Sequence, residues 1–186
     1  MQKRPEATIK GMFVNSHVRV LREREGSTAV GELGRRFGGT IHFRPLEDVP
    51  VRDEVRIIEI VLDLMGEHGL TGAARAEAAG RLHFTNFSHT SLGTALLGAL
   101  PHTPKSFLTL ISNAPLIARN VFSNTNFDAE VRRDSVVISV DNCDYPPEHF
   151  AGFFGEWMRA WELEEARVRT RAPGEGAYEY WLYFHR

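Results

Sequence analysis

The sequence of 186 residues contains very little cysteine and very little lysine. Cys143 is the single cysteine, which excludes an internal disulfide and a zinc site built from several cysteines. Arginine carries almost all of the positive charge, because Lys3, Lys10 and Lys105 are the only lysines. The net charge of −2 lacks the basic excess that is typical of nucleic-acid-binding proteins. We therefore expect no nucleic acid partner.

Long apolar runs are missing as well. Charged or polar residues interrupt every apolar stretch well before the roughly 18 residues that a membrane-spanning helix needs. The first ten residues are polar and contain no apolar segment of the kind found in secretion signals. The sequence thus predicts no membrane span and a cytoplasmic location, where the thiol of Cys143 would be reduced.

Motifs that would indicate catalysis are absent from the sequence. There is no Gly-x-Ser-x-Gly elbow, no phosphate-binding loop and no Gly-x-Gly-x-x-Gly turn. Cys143 and His149 lie six residues apart across two prolines, a spacing that leaves their geometry open. The acidic residues Glu162, Glu164 and Glu165 stand beside an arginine-rich segment and are typical of solvated ion pairs. We assign no catalytic residue and do not favour an enzyme.

Eight histidines are a generous number for this length. His83 and His89 are six residues apart, which places them about 120° out of register on a helix. No His-Glu-x-x-His motif or other paired spacing occurs, so we expect scattered histidines and no metal site. A haem needs only one axial histidine, so haem or another tetrapyrrole stays open as a third alternative for function.

The pattern of the chain predicts a single α+β domain over residues 1–186. Residues 1–8 are expected to be a loose tail, and residues 9–122, the helix-rich N-terminal two-thirds, a series of helices. The expected boundaries there include an N-cap at Asn15 or Ser16, a break at Gly26, an irregular connection over residues 40–50 and N-caps at Asp53 and Thr103. Residues 126–186 read as strand, strand, helix, strand, strand, which predicts a four-stranded antiparallel sheet with one crossing helix.

Aromatic residues give the clearest periodic signal. In the crossing helix, apolar residues recur at helical spacing and form one face: Phe150, Phe153, Phe154, Trp157, Met158 and Trp161. The last strand is aromatic on both faces, which is more than a small sheet needs. The excess favours a core, a ligand pocket or a self-association surface, in that order. Our candidate pocket residues are Phe84, Phe87, Phe107, Phe150, Phe153, Trp157 and Tyr180.

Two glycines lie on the opposite side of the same predicted helix. Gly152 and Gly155 would allow the backbone of another element to approach closely. The approaching element is either a strand or loop of the same chain or a second copy of the protein. The second case supports an alternative function, a protein-interaction adaptor that acts as a homodimer without any ligand.

Several short segments resemble a known family. The opening Ile9-Lys10-Gly11-Met12-Phe13-Val14-Asn15, the set Pro146, Pro147, Phe150, Gly152 and Gly155, and the final Tyr178-Glu179-Tyr180-Trp181 are similar to domain of unknown function 2378, a family expanded in myxobacteria. The closing unit of that family resembles the ligand-binding domains of nitric-oxide sensors, vinyl-reductase-type regulators and Golgi tethering subunits.

This resemblance implies a sensory or regulatory module rather than an enzyme. Its expected partners are a small apolar ligand, held between the front helices and the C-terminal sheet, and a second copy or another signalling protein. The chain departs from these relatives at two signatures. The cysteine cluster of the vinyl-reductase-type domains is missing near Gly176 and Ala177, and the Tyr-x-Ser-x-Arg signature of the nitric-oxide sensors is absent. The cofactor is therefore left unassigned.

Overall fold

The protein has an α+β architecture, as the sequence predicts. The structure is a computed structural model that describes residues 4–133 and 135–185. The helices are α1 (Gly11–Phe37), α2 (Val51–Leu64), α3 (Gly72–Ser88), α4 (Ser91–Gly98), α5 (Pro104–Ser112), α6 (Ala114–Val121) and α7 (Pro147–Ala160). The strands are β1 (Thr8–Lys10), β2 (Asp48–Pro50), β3 (Phe122–Ser123), β4 (Asn126–Val131), β5 (Val136–Asp141), β6 (Arg167–Gly174) and β7 (Ala177–Tyr183).

A small sheet of three short strands connects the front helices, and the sequence pattern did not predict it. Its order is β2-β1-β3, with both neighbours antiparallel to β1. Ile9 faces Val49 on one side and Phe122 on the other. The prediction of a loose tail over residues 1–8 is therefore wrong for Ala7, which is buried, and for Thr8, which pairs in β1. Residues 1–3 of that tail lie outside the described residues.

Helix α1 is longer than predicted and bends where predicted. It begins at Gly11 and runs past Asn15 and Ser16, so neither residue is an N-cap. The side chain of Asn15 instead donates from Nδ2 to the carbonyl oxygen of Phe43 at 2.8 Å and holds the following loop. Gly26 has φ 81° and ψ −179°, a conformation that interrupts the helix and that favours glycine.

Helix α2 also begins earlier than predicted. Its N-cap is Pro50, and Asp53 lies in the first turn, so the prediction of Asp53 as N-cap is wrong. The connection over residues 40–50 is irregular except for β2. Downstream, Thr103 caps α5 by accepting a hydrogen bond from the backbone N–H of Ser106, which confirms the predicted cap. Helices α5 and α6 separate at Asn113, and Pro115 lies in the first turn of α6.

The predicted C-terminal unit is confirmed. Strands β4 and β5 form one antiparallel hairpin, β6 and β7 form another, and α7 lies between them in sequence. Strands β5 and β7 join the hairpins into a sheet of order β4-β5-β7-β6. Asp134, which lies between β4 and β5 in the sequence, is outside the described residues.

The two faces of this sheet have different environments. Tyr180 and Leu182 of β7 point to the buried side, where α7 supplies its aromatic face. On the other side, the guanidinium group of Arg132 lies 4.5 Å from the ring centre of Trp181, and that of Arg167 lies 5.1 Å from that of Tyr183. The arginines thus cover part of the outer aromatic face.

None of the helices in the described ranges is both long enough and apolar enough to cross a membrane.

Candidate functional site

Helices α3 and α7 approach so closely that their backbones touch, and this contact builds the site. A Cβ atom added at Gly80 of α3 would lie 1.7 Å from the carbonyl oxygen of His149. A Cβ added at Gly152 of α7 would lie 2.0 Å from the carbonyl oxygen of Glu77. Only glycine fits at either position, and the short distance between the helices brings two histidines on their facing sides together.

Those two histidines form a buried pair. The Nδ1 atom of His83 lies 2.9 Å from the Nε2 atom of His149, so one ring donates a hydrogen bond to the other. Both side chains are almost fully buried, at 3% and 1% exposure. The expectation of scattered histidines is therefore wrong for His83 and His149, which are 66 residues apart in the chain.

A carboxylate and a third histidine extend this pair into a network. The Nε2 atom of His17, on α1, lies 2.9 Å from Oε1 of Glu54, on α2. The same Oε1 atom lies 3.6 Å from Nε2 of His83. His17 and Glu54 have no exposed surface. One carboxylate oxygen is thus shared by two imidazoles from different helices.

Two further polar side chains hold the outer edges of the network. The hydroxyl of Tyr145, in the loop before α7, donates to Oε2 of Glu54. The Nδ2 atom of Asn86, one turn along α3 from His83, lies 2.6 Å from Nδ1 of His17. Asn86 is buried, and its Oδ1 atom has no hydrogen-bond partner among the described residues. We refer to His17, Glu54, His83, Asn86, Tyr145 and His149 as the polar cluster.

The members of the polar cluster occupy core positions on their helices. His17 lies one turn after Phe13 and one turn before Leu21, both of which are buried. Glu54 precedes Ile57 and Ile58 on the buried face of α2. His83 and Asn86 lie among buried residues of α3. The sequence signal for the polar cluster was a polar residue at an otherwise apolar position in each of three successive helices. The spacing between pairs of histidines did not capture this signal.

Burial and mutual interaction set the protonation of the polar cluster. Burial lowers the pKa of His83 to about 4 against the opposing influence of Glu54. Burial also lowers the pKa of His149 well below its usual range. For Glu54, burial acts to raise the pKa, but His83 and the hydrogen bonds from His17 and Tyr145 outweigh it and lower the pKa to about 2. At pH 7, Glu54 is an ionised carboxylate beside neutral His83 and His149 rings.

The helix geometry also favours a negative charge on Glu54. Glu54 lies in the first turn of α2, where the unpaired backbone N–H groups give the helix end a partial positive charge. Tyr145 stays protonated in this environment, because burial and the charge of Glu54 raise its pKa well above the usual range. Its hydroxyl is therefore a hydrogen-bond donor at every pH at which the protein is ordinarily handled.

An apolar cavity of about 70 Å³ lies next to the polar cluster. Helices α3, α4, α6 and α7 and the sheet surround it, and His83 belongs both to its wall and to the polar cluster. Only His83 and Trp157, among the lining residues, carry a polar atom in their side chains. The complete lining is His83, Phe87, Leu96, Leu97, Ala114, Ile117, Ala118, Val121, Phe122, Phe127, Ile138, Phe150, Phe153, Phe154 and Trp157.

The structure places four of the seven candidate pocket residues in this wall, namely Phe87, Phe150, Phe153 and Trp157. The other three pack behind them in the core. The ring of Phe84 lies 5.4 Å from that of Phe153, and the ring of Phe107 lies 5.8 Å from that of Trp157. The ring of Tyr180 lies 6.0 Å from that of Phe150. The aromatic face of α7 thus contributes both to the core and to the cavity.

Residues considered for other chemistry lie outside this site. Cys143 is buried, and burial raises the pKa of its thiol to about 12, which disfavours a nucleophilic thiolate. His102 is exposed and stacks on Trp161, with 4.8 Å between ring centres. Gly152 contacts α3 of the same chain, whereas a Cβ at Gly155 would be 4.0 Å from the side chain of Val168.

Residues 2–183 match the family described as protein of unknown function (DUF2378). The chain belongs to this family. The match spans nearly the whole chain and confirms the resemblance seen in the short motifs of the sequence. No curated protein sequence matches this member of DUF2378.

Solved structures of similar fold are H-NOX domains. An oxygen-binding H-NOX domain related to soluble guanylate cyclases shares 16% identity at a TM-score of 0.69, with 96% of each chain covered. A structure concerned with haem redox potential and porphyrin distortion shares 16% identity at a TM-score of 0.69, covering 95% of this chain and 100% of the other. A variant of the T. tengcongensis H-NOX domain shares 17% at a TM-score of 0.67, with 96% and 98% covered. At such identities the likeness establishes the fold, which agrees with the expected nitric-oxide-sensor plan.

Haem is the cofactor that this fold implies, and the interior of this DUF2378 protein does not fit it. Cofactor pockets have volumes of roughly 300–1,000 Å³, whereas the cavity has about 70 Å³. His83 is the one histidine in the cavity wall, and its two ring nitrogens face His149 and Glu54 rather than the cavity. The side chains around the cavity therefore do not fit the haem alternative.

Proposed function

We propose that this protein is a non-enzymatic sensory or regulatory module whose apolar cavity binds a small apolar ligand. The observation that supports the proposal is the cavity itself, which lies between the front helices and the C-terminal unit. Well-packed interiors contain few voids larger than a water molecule. A void lined almost entirely by apolar side chains therefore favours a specific occupant over a packing fault.

The size of the cavity limits the ligand. A water molecule occupies about 30 Å³ of liquid, and an engineered cavity of about 150 Å³ stays dry and binds benzene or xenon. A cavity of about 70 Å³ fits a molecule of a few heavy atoms. Trp157 belongs to the wall, and its indole N–H is buried without a hydrogen-bond partner among the described residues. The ligand class is thus a very small apolar molecule, with or without a single acceptor atom.

Xenon binding tests the cavity directly. We expect 129Xe NMR of the purified protein to show one saturable site and xenon pressure to raise the melting temperature. The Ala118→Leu variant places a larger side chain in the cavity wall and should lose the site. Ala74→Leu adds the same side chain at an exposed position of α3 and should keep it. The proposal fails if the wild-type protein has no saturable site, or if Ala118→Leu folds and binds xenon as the wild type does.

The natural ligand is sought separately. The protein is purified from its native host without heating and extracted for mass spectrometry, and volatile components are analysed by headspace gas chromatography. We expect a small apolar compound in stoichiometric amount that is missing from the Ala118→Leu protein. Extracts of the two proteins that do not differ would count against a bound natural ligand.

The homodimer alternative stays a prediction. One of its two glycines, Gly152, is already used to contact α3 within the chain. The Gly155→Arg variant tests the remaining part of that helix face. A molecular mass by light scattering that is the same for this variant and the wild type would remove that face from any interface.

A further inference from the structure

The strongest unassigned feature of the molecule is the acidic centre of the polar cluster. Buried carboxylates are ordinarily paired with a cation, because an unpaired charge in the interior is very unfavourable. Glu54 has no exposed surface, and its side-chain hydrogen bonds run to His17 and Tyr145, with His83 close by. Neither an arginine nor a lysine is among these partners, so the charge lacks a permanent counterion.

The geometry points to a binding site for a transition-metal dication whose ligands are His17, Glu54 and His83. One ligand atom from each residue lies within 4.8 Å of the other two. A tetrahedral zinc ion with bonds of about 2.0–2.1 Å separates its ligand atoms by roughly 3.3 Å. The two pairs that share Oε1 of Glu54 are at 2.9 Å and 3.6 Å, which brackets that separation.

The surrounding side chains support each ligand from behind. Metal-binding histidines almost always use their second ring nitrogen for a hydrogen bond that fixes the ring. Here both proposed histidines direct Nε2 at Glu54, while Nδ1 of His83 contacts His149 and Nδ1 of His17 contacts Asn86. Tyr145 occupies the carboxylate oxygen that the two histidines leave open. Every proposed ligand therefore has an orienting partner.

The unpartnered oxygen of Asn86 is a second, independent observation. The N and O atoms of an amide are nearly equal in shape and exchange by a half-turn of the group. In the present orientation, Nδ2 faces Nδ1 of His17, so the ring proton is on Nε2 and points at Glu54. After a half-turn, Oδ1 would accept from a proton on Nδ1, and Nε2 would present its lone pair. The metal-bound form thus moves one ring proton from Nε2 to Nδ1.

The ligand types select the class of metal. Two imidazoles and one carboxylate suit zinc and its neighbours of the first transition series, whereas magnesium and calcium prefer oxygen ligands alone. Cys143 is the single cysteine and is not one of the three ligands, which makes thiophilic Cu(I) a poor match. We therefore use Zn²⁺ for affinity measurements and Co²⁺ as its spectroscopic substitute.

The test begins with chelator-treated full-length protein. Because all three ligands are buried, Zn²⁺ is added both to the folded protein and during refolding from denaturant. We expect one Zn²⁺ per chain by elemental analysis after gel filtration, and a higher melting temperature for the loaded protein. Co²⁺ should give the visible absorption bands of a site with nitrogen and oxygen ligands.

Matched variants assign the site. Glu54→Gln and His17→Gln should lower the affinity for Zn²⁺ by more than the factor of about 10–100 that loss of an orienting partner typically causes. Asn86→Leu, which removes only an orienting partner, should fall within that range. His68→Gln changes an exposed histidine on the surface and should leave both stoichiometry and affinity unchanged.

Three results would overturn the proposal. The first is wild-type protein that retains no stoichiometric Zn²⁺ by either loading route. The second is folded Glu54→Gln or His17→Gln protein that binds Zn²⁺ like the wild type. The third is a loss of binding in His68→Gln. Should the ligand variants fail to fold, the wild-type protein still decides, because equal melting temperatures with Zn²⁺ and with chelator would refute the site. Xenon binding in the neighbouring cavity is measured independently of all these results.

Discussion

Gly80 lies so close to His149 that a Cβ atom added at Gly80 would be 1.7 Å from the carbonyl oxygen of His149. This backbone contact and the one between Gly152 and Glu77 set the short distance between α3 and α7. His83 lies one turn further along α3 and faces the ring of His149 at hydrogen-bond distance. The first prediction concerns what happens when the two helices are forced apart.

The Gly80→Ala variant should be destabilised by about 1–3 kcal/mol or more, because the added methyl group must displace backbone rather than a flexible side chain. Chemical denaturation followed by circular dichroism gives this free energy. Gly31→Ala is the matched control, since nothing lies within 4 Å of its added Cβ in α1. That substitution should be neutral or stabilise by up to about 1 kcal/mol. Equal effects of the two substitutions would contradict the close helix contact.

Removing the Tyr145 hydroxyl should destabilise the protein by about 1.5–3 kcal/mol, because the Tyr145→Phe variant leaves one oxygen of an ionised, buried Glu54 without its donor. Tyr180→Phe is the control at an equally buried tyrosine. Its hydroxyl has no hydrogen-bond partner among the described residues, so its removal should be nearly neutral or stabilising. Both free energies come from urea titrations at pH 7. A larger loss for Tyr180→Phe than for Tyr145→Phe would show that Glu54 does not depend on this hydrogen bond.

The thiol of Cys143 should make the protein less stable at alkaline pH. Burial raises its pKa to about 12, so the unfolded chain releases this proton at lower pH than the folded protein. The contribution of the protonated thiol to the free energy of unfolding is fully present below the pKa of the unfolded thiol, near 8.5. This contribution is lost as the pH rises toward the pKa of the thiol in the folded protein. Between pH 7.5 and pH 10, the wild type should therefore lose about 2 kcal/mol of unfolding free energy relative to Cys143→Ala. Tyrosines titrate in both proteins and cancel.

Thiol labelling gives an independent measurement of the same property. Cys143 is 2% exposed, so iodoacetamide should react slowly with the folded protein at pH 8 and rapidly in denaturant. Fast labelling of the folded protein at pH 8 would contradict both the burial and the raised pKa.

Enlarging the cavity should strengthen xenon binding while it weakens the fold. Ile138 is fully buried and lines the cavity, so the Ile138→Val variant removes one methylene group from its wall. Such changes typically destabilise by about 0.5–1.5 kcal/mol, measured here by thermal unfolding. Ile57→Val makes the same change at a fully buried position of α2 outside the cavity wall and should leave xenon affinity unchanged. A gain in xenon affinity for both variants would indicate that the substitutions loosen the whole core rather than enlarge this cavity.

Local patterns were sufficient to predict much of the fold. Alternation predicted the strand pairs of the C-terminal sheet, and the apolar face of α7 predicted its orientation. Gly26 and Thr103 were correctly read because backbone conformation and capping depend on one residue and its neighbours. Strands β1, β2 and β3 were missed because two or three residues are too short to show a period of two, and their pairing joins distant segments.

The candidate site was predicted only in part for a related reason. The aromatic residues of α7 predicted an apolar interior. The sequence did not show that Phe153 borders the cavity whereas Phe107 fills the core, because this difference depends on how four helices pack together. The polar cluster depends on the same packing, since His17, Glu54 and His83 come from three helices. A search for polar residues at apolar positions of buried helix faces would have identified all three residues.

The order β4-β5-β7-β6 has a consequence for how the chain is made. The central pairing of the large sheet joins β5 with β7, so it forms only after α7 and β6 have been synthesised. Until then, the apolar strand Val136–Asp141 has an unpaired edge, a surface on which other chains aggregate. A nascent or truncated chain that ends before residue 177 would therefore be a target for chaperones or proteases. Pairing with β7 removes this exposed edge of β5.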